Sequence, residues 1–133
     1  LNTPCINPPY GFISAVDLNT GKLLWSHPFG TAKGSGALGI TVPFEIPMGT
    51  PTHGGSMITE TGLAFIAASK DNMFQAYDLA SGAMVWRDEL PAAGGAPISY
   101  MQDGKQYIVL HAGGQGAIQS RFSTKMVAYT LAD

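Results

Sequence analysis

Cysteine is nearly absent. Cys5 is the only one, so the chain can form neither an internal disulfide nor a thiolate metal cluster. Charge is scarce too: Asp, Glu, Lys and Arg make up 12% of the residues, about half the usual share of roughly 25%. The seven basic residues are scattered singly in a chain of net charge −2. No basic patch exists to neutralise phosphates, which argues against a nucleic-acid partner. No apolar run approaches the roughly 20 residues that span a bilayer, and the first residues lack the basic-then-apolar form of a signal peptide. Targeting information is therefore expected outside these residues. The three histidines have no Cys, Asp or Glu at a ligand spacing, so no transition-metal site is expected. Cys5, within the stiff stretch Pro4-Cys5-Ile6-Asn7-Pro8-Pro9, reads as a small buried thiol.

What is present points to a turn-rich globular chain. Hydrophobic residues make up 45% of 133, enough for a real core and too many for disorder. Seventeen glycines and nine prolines imply frequent turns and few long helices. The chain also repeats itself. Ala15-Val16-Asp17-Leu18-Asn19-Thr20-Gly21-Lys22-Leu23-Leu24-Trp25 recurs as Ala76-Tyr77-Asp78-Leu79-Ala80-Ser81-Gly82-Ala83-Met84-Val85-Trp86. The offset is 61 throughout, and five of eleven positions are identical.

Each copy reads as a hairpin. Residues 12–18 and 73–79 mix apolar, β-branched and aromatic residues, as half-buried strands do. Asp-x-x-[Thr/Ser]-Gly is a turn in which Asp17 or Asp78 caps local backbone, while Gly21 or Gly82 accepts a positive φ. A second strand then ends near Trp25 or Trp86. Further strands are expected at 56–59 and 63–69, 96–101 and 106–112, and 125–131. Four-stranded antiparallel units with a repeated aromatic signature mark an all-β propeller; the alternative is a single β-sandwich in which the repeat is coincidence. In the propeller reading, 1–30 supplies the last strands of one blade, 31–50 an inter-blade loop, 51–92 a complete blade and 93–133 a final partial blade. Such an open arc is expected to associate with other blades or with itself. The Gly-rich stretch from Gly30 to Gly39 is not followed by Lys-[Ser/Thr] or a helix pattern, so it is a loop and not a phosphate cradle.

The hairpin Ala-x-Asp-x-x-[Thr/Ser]-Gly-x-x-x-Trp resembles the tryptophan-docking motif of the pyrroloquinoline quinone (PQQ) dependent dehydrogenases. Scaffold propellers of outer-membrane assembly have similar blades, and remain the competing class. Further stretches narrow the choice: Pro8-Pro9-Tyr10-Gly11, Pro47-x-Gly49-x-Pro51-x-x-Gly54-Gly55, Asp71-Asn72-x-x-x-Ala76-Tyr77-Asp78, and Ala112-Gly113-Gly114. In that order they resemble the C-terminal region of the membrane-bound glucose and quinate dehydrogenase group, over essentially the whole chain. The resemblance implies an eight-bladed propeller of which about two blades are here, facing the periplasm and anchored in the membrane through other regions. It implies oxidation of a sugar, polyol or cyclic alcohol by PQQ with Ca²⁺ or Mg²⁺, whose ligands lie mostly outside this segment, and transfer of electrons to ubiquinone. The segment alone is expected to be inactive.

The residues that could carry such chemistry sit in loops. Asp71, in the turn Ser69-Lys70-Asp71-Asn72, is the candidate catalytic carboxylate: the resemblance places its counterpart near the cofactor and substrate pocket, while Asp-Asn is also an ordinary turn pair. Lys70 and Asn72 share that loop. Gln115 in Ala112-Gly113-Gly114-Gln115-Gly116 stands where the glucose enzymes carry histidine. Glutamine hydrogen-bonds without titrating near neutrality, which excludes acid–base work there and weakens glucose as the substrate. Gly114 could admit a close backbone approach. Arg121, at a lysine position of the glucose enzymes, could meet an anion or be solvated. His53 could point into a pocket or serve structure. His27 and His111 read as packing residues. Trp25 and Trp86, duplicated between repeats, read as blade locks together with Gly21, Gly82, Asp17 and Asp78.

Overall fold

The computed structural model describes residues 5–33 and 42–131. Among the described residues, nine strands form three antiparallel sheets. The first holds β1 (Phe12–Val16) and β2 (Leu23–Pro28). The second runs in the order β3 (Ser56–Ile58), β4 (Leu63–Ile66), β5 (Met73–Asp78) and β6 (Met84–Glu89). The third holds β7 (Ile98–Gln102), β8 (Lys105–Ala112) and β9 (Lys125–Thr130). Every strand pairs with its sequence neighbour, as a row of blades requires. The Gly30–Gly39 reading lies mostly outside the described residues.

The repeat folds twice into the same object. Ala15 pairs with Trp25 and Ala76 with Trp86, with a register shift one residue later in both hairpins. Asp17 accepts hydrogen bonds from the Thr20 hydroxyl and the Asn19 amide, and Asp78 accepts them from the Ser81 hydroxyl and amide. These bonds, the side-chain hydroxyl first, hold both carboxyls below their ordinary pKa.

Alternation of direction sorts the connections. All the tight turns (17–22, 59–62, 78–83 and 103–104) fall at one end of the strands, and the described parts of the long connections (29–33 with 42–55, 67–72, 90–97 and 113–124) fall at the other. Hydrogen bonds stitch the long connections to one another: His53 N to Ala68 O at 3.1 Å, Gly94 N to Ala67 O at 2.8 Å and Gly114 N to Ala93 O at 2.9 Å, while Gly49 N to Gly30 O at 3.0 Å ties the first connection to itself. The chain thus has a turn end and a loop end, and all the candidate pocket residues lie at the loop end.

Two cores lie between the sheets. Phe29, Ala64, Ala68 and Tyr77 join the first sheet to the second, whereas Ala67, Phe74, Leu90, Leu110 and Ala112 join the second to the third. Successive residues of β5 supply opposite cores, so Met73 through Tyr77 are all buried. The half-buried strand expected at 73–79 is therefore buried on both faces, because a blade packs on each side of it. The outer faces stay open: Phe12 and Val16 on the first sheet and Ile98, Tyr100 and Met126 on the third are exposed. Cys5, expected to be buried, is exposed, since residues 5–9 belong to neither core.

The tryptophans dock one blade on the next. Trp25 Nε1 donates to Leu79 O at 2.8 Å, and its ring stacks with that of Tyr77, centroids 6.3 Å apart. Trp86 meets Phe74 at 5.5 Å and Tyr129 of β9 at 5.3 Å, both edge-on. His27 does pack, stacking on Trp25 at 5.4 Å, but remains exposed. His111 is exposed too, because it lies on the open face of the third sheet.

Burial, helped by the Asp71 charge, pushes the Tyr77 hydroxyl up to about 12. The folded chain then keeps a proton that an unfolded tyrosine releases near its ordinary value of 10.0, so stability falls as pH rises from there toward about 12. Denaturant midpoints measured from pH 9 upward should drop over that window. Tyr77→Phe, which loses the 2.8 Å bond to Gln75, should start lower and fall less steeply.

Candidate functional site at the loop end

The turn between β4 and β5 places Lys70, Asp71 and Asn72 at the loop end. Thr52 bridges to Ser69, so the long inter-blade connection lies against this turn. Asp71 is buried and takes three donors: Thr31 N–H at 2.8 Å on Oδ2, with the Ser69 hydroxyl at 2.5 Å and Met73 N–H at 3.3 Å on Oδ1. The carboxylate thereby ties its own turn to the end of the first blade. Oδ2 accepts one of these bonds only, and a carboxylate oxygen has room for a second donor.

Asn72 is buried at φ 62°, an αL geometry that asparagine tolerates better than most residues. Its N–H donates to Ser69 O at 3.2 Å and its carbonyl accepts from Leu90 N at 2.8 Å. Its side-chain Oδ1 is buried without a protein partner. An orphan acceptor of this kind costs roughly 1–3 kcal/mol unless a ligand or solvent satisfies it.

Lys70, Asp71 and Asn72 share a cleft of about 250 Å³ with Lys33, Glu89, Gln119, Ser120 and Arg121. Lys33 and Glu89 form an ion pair at 2.8 Å, and that bond keeps Lys33 protonated above its ordinary range. Arg121 is exposed, yet its backbone is fixed. The Ser120 hydroxyl accepts from Gln115 N at 2.7 Å, Ser120 N donates to Gln115 O at 3.2 Å, and Gly114, at φ 86°, lies so close to the Arg121 carbonyl that no Cβ fits.

The other candidates stand beside this cleft. His53 Nδ1 and Gln115 Oε1 lie 3.0 Å apart, and since Oε1 can only accept, Nδ1 carries the proton of that bond. So the seven pocket candidates form two neighbouring groups. Lys70, Asp71, Asn72 and Arg121 line one cleft; His53 and Gln115 pair on the loop that Gly114 begins. Sequence reading passes over Thr31, Ser69 and Ser120. Ser69 has a visible signal, a hydroxyl two residues before Asp71, as in local Ser/Asx turns. Thr31 and Ser120 act across folds of the chain and carry none. Among the described residues no three His, Cys, Asp or Glu side chains gather as a metal site.

A row of antiparallel sheets docked by tryptophans, one of them four-stranded, has the form of β-propeller blades, and the charged cleft lies at their loop end. Residues 1–108 match the family model of the PQQ glucose/ethanol/alcohol dehydrogenase β-propeller domain. Curated relatives agree. The chain is 42% identical over 131 residues to the glycerol dehydrogenase large subunit of Gluconobacter oxydans (strain 621H), covering 97% of this chain and 18% of the relative. It is 40% identical over 131 residues to the quinoprotein glucose dehydrogenase of Escherichia coli (strain K12), covering 98% and 16%. It is 41% identical over 117 residues to the quinate/shikimate dehydrogenase (quinone) of Acinetobacter baylyi (strain ATCC 33305 / BD413 / ADP1), covering 86% and 14%. The chain belongs to the PQQ-dependent dehydrogenase β-propeller family. It spans less than a fifth of the length of these relatives. No helix among the described residues is long and apolar enough to cross a membrane.

Proposed function

We propose that this segment forms part of the active-site face of a PQQ-dependent dehydrogenase that oxidises a sugar, polyol or cyclic alcohol and delivers the electrons to ubiquinone. The observation that carries the reading is the loop-end cleft, where Lys70, Asp71, Asn72 and Arg121 converge in a chain of this family. A cleft with cations and an unsatisfied buried acceptor suits a small polar, anionic or hydroxylated ligand, and PQQ with its alcohol substrate is such a set. When bound, PQQ supplies a two-electron acceptor for an alcohol carbon.

The roles of this chain's residues follow from their geometry. Asp71 keeps a lone pair on Oδ2 for a substrate hydroxyl, while its three bonds hold the wall of the cleft in place. Asn72 Oδ1 accepts a second hydroxyl, and Lys70 and Arg121 supply positive charge. Gln115, hydrogen-bonded to His53, presents an amide where the glucose enzymes carry histidine. Ca²⁺ or Mg²⁺ would be held by residues beyond this segment. The open faces of the first and third sheets are covered by further blades of the same propeller in this reading, and the protein works at the periplasmic side of a membrane to which other regions anchor it.

The test is dye-linked oxidation by the complete polypeptide that carries this segment, reconstituted with PQQ and Ca²⁺. Turnover of a polyol or cyclic alcohol that requires PQQ supports the reading. A correctly folded protein that takes up no PQQ would make the propeller a scaffold.

A further inference from the structure

The cleft beside Asp71 carries more than an alcohol oxidation needs. Three cations and two carboxylates line it, yet the charges are not evenly used. Lys33 is neutralised by Glu89 at 2.8 Å. Asp71 spends its charge on the Thr31, Ser69 and Met73 donors. Among the described residues, Lys70 and Arg121 take part in no ion pair. The backbone of Arg121 is held on the rim by the Gly114 contact and the Ser120–Gln115 bonds, so the loop sets where its exposed side chain starts. On the inner side, Asn72 Oδ1 is a buried acceptor without a donor.

Unpaired cations and an unsatisfied acceptor in one cleft describe their ligand from two directions. The cations call for an anion, and the planar guanidinium of Arg121 fits a carboxylate with two parallel hydrogen bonds. The amide oxygen calls for a hydroxyl or N–H. A neutral sugar or polyol answers only the second demand. We infer that the cleft is a subsite for the carboxylate of a polyhydroxylated acid, with Arg121 and Lys70 holding the anion and Asn72 Oδ1 accepting a hydroxyl. The inference rests on the dehydrogenase reading and narrows its substrate class: the acid group fixes the molecule while a hydroxyl elsewhere on it is oxidised. Arg121 then sets specificity and takes no part in proton transfer.

Carboxylates could come from PQQ itself as well as from the substrate, and the test separates the two. Calorimetry on the complete protein compares quinate with its uncharged carboxamide, on the PQQ-free protein and on protein holding PQQ reduced beforehand, so that no oxidation accompanies binding. A separate titration measures PQQ affinity. Arg121→Gln should weaken quinate about tenfold or more, the loss of a charge-assisted bidentate contact, and leave the carboxamide within about twofold. Arg121→Lys, which keeps the charge but not the planar fork, should retain only part of the quinate affinity. Asn72→Gly, which preserves the positive φ and deletes the acceptor, should weaken both ligands alike. PQQ affinity should be the same in wild type and Arg121→Gln. Equal binding of quinate and carboxamide by the wild type overturns the subsite. So does a loss of PQQ affinity in Arg121→Gln, which would assign the cations to the cofactor. Neutral alcohols oxidised without any carboxylate preference would leave the dehydrogenase reading standing and remove the subsite. Carboxylate preference without PQQ uptake would do the reverse.

Discussion

Asp71→Asn in the complete dehydrogenase is expected to lower turnover by about a hundredfold or more, the range for removal of a positioned acid–base group. Three donors converge on the carboxylate, from Thr31, Ser69 and Met73. An amide has one acceptor and one donor end, so whichever way the substituted side chain turns, its NH₂ faces a donor. Facing Thr31, it repels a backbone N–H; facing Ser69 and Met73, it leaves at most the hydroxyl able to reorient. One unsatisfied buried group costs about 1–3 kcal/mol, so the variant should also melt earlier. The two effects are separable. Ser69→Ala removes one donor and loosens the turn while keeping the charge; it should lose stability with far less loss of rate. A rate loss confined to Asp71→Asn, with Ser69→Ala losing stability only, assigns the carboxylate to the reaction. Equal rate losses in the two variants would reduce Asp71 to a structural clamp.

The largest stability effect is expected at the tryptophan dock. Trp25 lies over Gly82 of the next blade: a Cβ built on Gly82 would sit 2.6 Å from Trp25 Cδ2 and 2.7 Å from His27 Nε2. Trp25→Ala removes that packing, the Tyr77 stack and the Leu79 hydrogen bond. Since the ring is only half-buried, the loss should fall near the lower end for such truncations, about 3 kcal/mol. Gly82→Ala meets both a steric and a backbone obstacle, because its φ is 74°. Gly21, its counterpart in the first repeat, has φ 66° but nothing within 4 Å of a built Cβ. Gly21→Ala should therefore cost only the backbone term, about 1–2 kcal/mol, and Gly82→Ala clearly more. In the double variant Trp25→Ala with Gly82→Ala, the clash with the indole is gone and only that with His27 remains, so the combined loss should be less than the sum of the separate losses. Equal costs at Gly21 and Gly82 in thermal melts would show that the tryptophan does not dock there.

Much of the architecture is legible in the sequence because it is local and repeated. The 61-residue offset locates both hairpins, and turn chemistry at Asp17, Asp78 and Asp103-Gly104 locates the strands around them. What periodicity cannot show is which strand is sandwiched. β5 alternates like a half-buried strand, but its two faces pack on different neighbours, Phe74 on the third sheet and Tyr77 on the first. Cys5 misleads for a related reason: a stiff Pro-rich stretch says nothing about what covers it. The candidate site is legible only as a set of loop residues. Their grouping depends on Thr31 reaching Asp71 across 40 positions and His53 reaching Gln115 across 62. No local pattern encodes contacts of that separation. The same holds for the unpaired state of Arg121, which is visible only once Lys33 is seen to occupy Glu89.

The central claim is that the loop end, and not the turn end, faces the cofactor and substrate. Hydrogen–deuterium exchange of the complete protein, with and without PQQ, tests it most directly. The account predicts slowed exchange on PQQ binding in peptides covering 67–72 and 113–121, and none in those covering the turns at 17–22, 78–83 and 103–104. Protection at the turn end, or at neither end while PQQ is demonstrably bound, would contradict it.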